Sequence, residues 1–224
     1  MARRPDGTAG GLLLVLVTPG DREPRRTQRL IESALAGGVT AVLLREPQLD
    51  GVERAELAAQ AREATRAHDA LLLVHRDVHL ALDCVADGVH TGHGGWSVED
   101  IRRQAPELLV GRSCHWPVGT EDRRADYVLL SPFRPTPKSH ARPLLEADQV
   151  RACVDDPRLG PIVALGGLTA DDVATLPEGL AGVAVLRALS EAGDARAAAI
   201  ELRSALDARF HSDDPGRVSI GAGR

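Results

Sequence analysis

Residues 162–169, Ile-Val-Ala-Leu-Gly-Gly-Leu-Thr, hold a short apolar run, two glycines and a threonine placed to open a helix. Residues 182–188, Gly-Val-Ala-Val-Leu-Arg-Ala, repeat the plan. An apolar run of this length without alternation reads as a strand buried on both faces, as parallel sheets require. Working outward, similar runs recur at Leu12–Val17, Ala41–Leu44, Leu71–Val74, Gly88–His90, Leu108–Gly111 and Tyr127–Leu130. Between them lie Ala-, Arg- and Glu-rich stretches with helical spacing, among them Arg26–Leu35, Val52–Ala67 and the closing Ala188–Phe210. Asp50, and Ser97 with Asp100, supply helix starts, and Gly37-Gly38 supplies a stop. Strand then helix, repeated about eight times, predicts a compact (β/α)8 TIM barrel, with an open doubly wound sheet as the other arrangement.

Composition narrows the class further. Of 224 residues, 43% are hydrophobic but only 2% aromatic. The core must therefore be built from Val, Leu, Ile and Ala, which suits neither a β-sandwich nor a base-stacking surface. A net charge of -5 argues against a nucleic-acid partner. No apolar run approaches the roughly 20 residues of a membrane helix, and Leu12–Val17 is too short for a signal-peptide core. Cys84, Cys114 and Cys153 have no C-x-x-C spacing, which excludes a zinc ribbon or disulfide scaffold. A cytoplasmic chain is expected, with residues 11–210 as one barrel domain. Residues 1–10 and 211–224 are expected as a disordered and a flexible tail.

Active sites of such barrels lie at the carboxyl ends of the strands. Gly166 and Gly167, with Val185 and Leu186 one strand later, form the usual phosphate position, where backbone N–H groups meet an anion. Arg45 and Lys138 are candidate anion clamps, an arginine paired with Glu46 being the plainer alternative for Arg45. Ser113 and Thr136 are expected to line the site. His115, His75 and Glu46 are candidate proton-transfer groups. Cys114 and His115 should point to opposite faces, so they make no nucleophile pair. His75 and His79 lack an H-E-x-x-H pattern, and no metal site is expected from histidines.

Leu44-Arg45-Glu46, Ala86-Asp-Gly-Val-His90-Thr-Gly92, Gly111-Arg-Ser113-Cys-His115, Ala125-Asp-Tyr-Val-Leu129, Pro132 to Lys138 and Ala164-Leu-Gly-Gly167 together resemble the thiamine phosphate synthase/TenI family. The order and spacing hold from about Leu13 to Leu206. The resemblance implies a (β/α)8 barrel that binds a phosphorylated heterocycle, a thiazole phosphate or thiamine phosphate. Synthases of the family join thiazole phosphate to an aminopyrimidine and displace pyrophosphate with Mg2+. The TenI branch aromatises a thiazole phosphate tautomer. Where synthases carry a lysine after strand 2 and two magnesium carboxylates after strands 3 and 4, this chain has Pro47, Arg76 and Gly95. The histidine of TenI-type tautomerases falls at Pro132. TenI-like tautomerisation is the expectation on these residues. Mg2+ enters only with synthase activity, the first alternative; a non-catalytic regulatory binder is the second. An assembly of identical subunits is compatible with the sequence.

Overall fold

The computed structural model describes residues 12–136 and 143–212. Eight parallel strands close into a barrel in chain order: β1 (Leu14–Val17), β2 (Ala41–Leu44), β3 (Leu71–His75), β4 (Gly88–Thr91), β5 (Leu109–Cys114), β6 (Tyr127–Leu130), β7 (Ile162–Leu165) and β8 (Gly182–Val185). Closure is made by β1 against β8, with Leu14 opposite Val183 and Leu16 opposite Val185. The helices are α1 (Pro24–Ala36), α2 (Gly51–Ala67), α3 (Val78–Asp83), α4 (Val98–Gln104), α5 (Ala147–Val154), α6 (Ala170–Val173), α7 (Arg187–Ser190) and α8 (Ala195–Ser212). The open sheet is thereby excluded. The expected N-terminal tail and nearly all of the C-terminal one lie outside the described residues. No helix among the described residues is long and apolar enough to cross a membrane.

Alternation along each strand splits the core in two. Inward residues Val15, Val17, Leu43, Leu73, Leu129, Val163 and Ala184 fill the barrel, and outward ones such as Leu16, Val42, Val89 and Val128 pack under the helices. This double burial is why the strands read as unbroken apolar runs. Asp50 caps α2 through Val52 and Glu53 N–H, and Ser97 caps α4 through Asp100 N–H. The closing stretch is two helices rather than one over Ala188–Phe210. Asp194 accepts from Arg196 and Ala197 N–H groups, restarting the chain as α8 after Gly193.

The inward face of β5 carries a glycine. On β5, Gly111 is in register with His90 on one side and Tyr127 on the other. A Cβ there would fall inside the Tyr127 ring. Gly111→Ala is therefore expected to cost about 1–3 kcal/mol by overpacking, read as a lowered urea midpoint with an unchanged slope.

Candidate active site

Loop β1α1 shapes the end of β2. Thr18 N–H donates to Leu43 O at 3.1 Å, and its Oγ1 accepts Arg45 N–H at 2.8 Å. Gly20, at φ +70°, packs on Arg45 O and donates its N–H to Glu46 Oε1 at 3.1 Å. Glu46 is thus held at 3% exposure, with Oε2 buried and without a hydrogen-bond partner among the described residues. Burial raises its pKa, against the lowering effects of Thr18 and Gly20. Glu46 is not an ion-pair partner of Arg45, and among the described residues the Arg45 guanidinium makes no hydrogen bond or ion pair.

Arg45, Glu46, His75, Arg76 and Arg54 border one cavity of about 320 Å3 at the carboxyl ends of β2 and β3. Arg76 holds φ +62°, an uncommon conformation for a residue with a side chain. Its N–H bonds His90 O at 2.9 Å, and its Nη2 bonds His93 O at 2.6 Å. A Cβ at Gly95 would collide with Thr91 Oγ1, so the bare glycine makes room for Thr91, while Arg76 Nε at 3.7 Å is in ordinary contact. Burial first, then Arg45 and Arg76, pull His75 down to about 4, so it is neutral at pH 7.

A second cluster continues from His75. The His75 and His90 rings stack at 6.4 Å. His90, fully buried, bonds Tyr127 Oη through Nδ1 at 3.1 Å and Ser113 Oγ through Nε2 at 2.8 Å. Burial pulls His90 down to about 3. Sequence reasoning quoted His90 and Tyr127 but gave neither a role. The available signal was their inward parity on β4 and β6, both facing a glycine. His115 is held apart from this group, its Nδ1 on Ser131 O at 2.7 Å. Cys114 is buried under the helices, where burial pushes its thiol pKa up. His79 lies against Trp96, rings 6.3 Å apart.

The neutral histidines make acid lability an expected property. Unfolded histidine titrates near 6.5, while His75 and His90 stay neutral in the folded chain until about 4 and 3. Below 6.5 the unfolded chain binds protons that the folded chain refuses, so stability falls as pH drops through that window. His90 alone implies a loss of roughly 2 kcal/mol between pH 7 and 5, measurable by urea unfolding at both values.

Across the mouth, Gly166 and Gly167 adopt φ +112° and +67°. Their Cα atoms face the loop after β6: a Cβ at 167 would meet Pro135 O at 2.7 Å. No described group accepts the N–H of Gly166, Gly167 or Leu186. Val185 is a buried ladder residue in register with Leu16, so Leu186 is the β8 position left with an N–H to offer. α6 and α7 are single turns, so an anion here would rest on loop N–H groups rather than on a long helix dipole. Ser113 faces the mouth beside Gly92, and Thr136 follows β6. Lys138 lies outside the described residues.

Magnesium requires oxygen ligands, commonly one or two carboxylates beside substrate phosphates. The positions expected to supply them hold Arg76 and Gly95. The neighbouring Asp77 is committed elsewhere, capping α3 through Leu80 N–H at 2.9 Å and pairing with Arg54 at 3.3 Å. Among the described residues no three His, Cys, Asp or Glu side chains converge as metal ligands. A divalent cation does not fit this donor set.

Comparison with known proteins agrees with this architecture. The family model described as thiamine monophosphate synthase matches residues 14–189. The thiamine-phosphate synthase of Geobacillus kaustophilus is 32% identical over 217 residues, 93% of this chain and 98% of the relative. That of Thiobacillus denitrificans is 36% identical over 190 residues, 81% and 90% of the two chains. The solved thiamine phosphate pyrophosphorylase of Pyrococcus furiosus superposes with a TM-score of 0.80 at 29% identity, covering 90% of this chain and 98% of that one. A 3-hexulose-6-phosphate synthase, 18% identical with a TM-score of 0.61, shares the fold. With a closed barrel, a family model matched over residues 14–189 and these relatives, the chain belongs to the thiamine monophosphate synthase (TMP-TENI) family.

Proposed function

We propose that the chain is a cytoplasmic thiamine-phosphate synthase-type transferase of thiamine biosynthesis. It would hold a thiazole phosphate and an aminopyrimidine diphosphate at the carboxyl ends of its strands. The names of the relatives support this reaction over the tautomerisation that the residues alone favoured. The observation that carries the reading is the cavity where Arg45, Arg54 and Arg76 converge, Arg45 without a partner among the described residues. Departure of diphosphate places negative charge on its leaving oxygen, and preorganised guanidinium groups stabilise such charge. The thiazole phosphate would take the N–H groups of Gly166, Gly167 and Leu186. Ser113, Thr136 and Lys138 would line the ring, and His115 would border the site through Nε2, which has no hydrogen-bond partner among the described residues.

A second reading, thiazole tautomerisation, is favoured by Glu46. A buried carboxyl with a raised pKa and a free oxygen, beside a neutral histidine, suits general-base proton transfer. The two separate in one experiment: thiazole phosphate and aminopyrimidine diphosphate are incubated with EDTA or with Mg2+, following thiamine phosphate and solvent-deuterium exchange. The transferase reading expects thiamine phosphate in both samples. Exchange without product would overturn it in favour of tautomerisation, and Glu46→Gln would then slow exchange by about 10²–10⁴-fold. Binding with neither product nor exchange would leave the non-catalytic binder.

A further inference from the structure

We infer that Tyr127 and His90 are positioning residues that fix Ser113 as a hydrogen-bond donor to the ligand at the barrel mouth. The inference rests on the reading that this mouth is the binding site. Gly111 makes the contact: because it carries no side chain, His90 on β4 and Tyr127 on β6 meet across β5. Ser113 is the next inward residue of β5 toward the mouth.

The direction of each hydrogen bond follows from counting protons. Tyr127 is fully buried, and among the described residues its hydroxyl has one partner, His90 Nδ1. A buried O–H is costly to leave undonated, so Tyr127 donates and His90 Nδ1 accepts. A neutral imidazole carries one N–H, which must then be on Nε2. That N–H donates to Ser113 Oγ at 2.8 Å. Ser113 has a single hydroxyl proton, and it cannot be directed back at His90. It points to the mouth, where it selects an oxygen or nitrogen lone pair, such as a phosphoryl oxygen.

Neutrality of His90 is secured by what surrounds it. Burial, His75 stacked on it and the Arg112 charge all disfavour the imidazolium. On the opposite side Tyr127 offers a phenol whose pKa is raised by burial and then by Asp126, so the group bonded to His90 Nδ1 is not an anion that would attract a second proton.

Nitrogen-15 NMR of imidazole-labelled protein reads the tautomer directly, with His90 assigned by its loss in His90→Gln. The expected result is protonation at Nε2 throughout the physiological window of about pH 5–8. An Nδ1–H tautomer or an imidazolium would overturn the inference, whatever the protein binds. Binding supplies the second readout, by titration with thiazole phosphate and inorganic pyrophosphate. Tyr127→Phe keeps the ring over Gly111 and is expected to weaken the probe that contacts Ser113 by about 3–10-fold. In the Ser113→Ala background it should have no further effect, and additive losses would contradict coupling through Ser113. If the wild-type protein binds neither probe, the reading of the mouth fails, and the tautomer still decides the hydrogen-bond order.

Discussion

Arg45→Ala is expected to lower the affinity for diphosphate by about 10–150-fold, the worth of roughly 1.5–3 kcal/mol for a hydrogen bond to a charged group. The expectation follows from how little else engages this side chain. Its backbone N–H is held by Thr18 Oγ1, but the guanidinium has no hydrogen bond or ion pair among the described residues. Removing it breaks no intramolecular bond, so stability should change little while anion binding suffers. Arg54 differs, because its charge is shared with Asp77 at 3.3 Å. Arg45→Lys separates charge from geometry. A lysine keeps the positive charge but loses the planar fork, so partial recovery is expected. Titration calorimetry with inorganic pyrophosphate, alongside urea unfolding, checks both halves.

At the opposite end of the barrel, Asp87→Ala costs about 3–5 kcal/mol of stability, because a buried charge loses its counter-ion. Asp87 Oδ2 accepts Leu72 N–H at 2.8 Å and pairs with Arg62 at 2.6 Å, and Arg62 is only 5% exposed. The carboxylate ties α2 to the starts of β3 and β4. Asp126 performs the same service before β6, accepting Val110 N–H at 2.8 Å and Arg102 at 3.1 Å. Ala86-Asp-Gly-Val and Ala125-Asp-Tyr-Val contributed to the family resemblance, and in both the aspartate serves the fold. Denaturation of Asp87→Ala should show this loss, whereas the double change Asp87→Ala with Arg62→Met, which removes the orphaned charge, should recover much of it.

The barrel was readable because burial on both faces forces every strand to be apolar, which leaves an unmistakable pattern. Its margins were not. Arg112 interrupts the run at β5, yet the strand extends through Cys114, because Arg112 faces outward to Asp122 at 3.0 Å. At β1 the apolar run begins at Leu12, but the ladder begins at Leu14. Of the site, Arg45, Glu46 and His75 could be placed by the rule that strand ends carry the chemistry. His90 and Tyr127 could not, because their meeting depends on register across an intervening glycine. Glu46 and Arg45 are neighbours in sequence but not partners. Gly20, one strand earlier in the chain, supplies the bond that holds Glu46 in place, and no local pattern announces it.

The most direct test of a mouth that binds phosphorylated heterocycle and diphosphate through guanidinium and backbone N–H groups is isothermal titration with thiazole phosphate and inorganic pyrophosphate. Each ligand is titrated once in EDTA and once in Mg2+. The account expects both to bind in EDTA, and expects Arg45→Ala to weaken pyrophosphate alone. Pyrophosphate binding that appears only with Mg2+ would contradict it, showing that a carboxylate such as Asp77 leaves its helix cap to hold the ion.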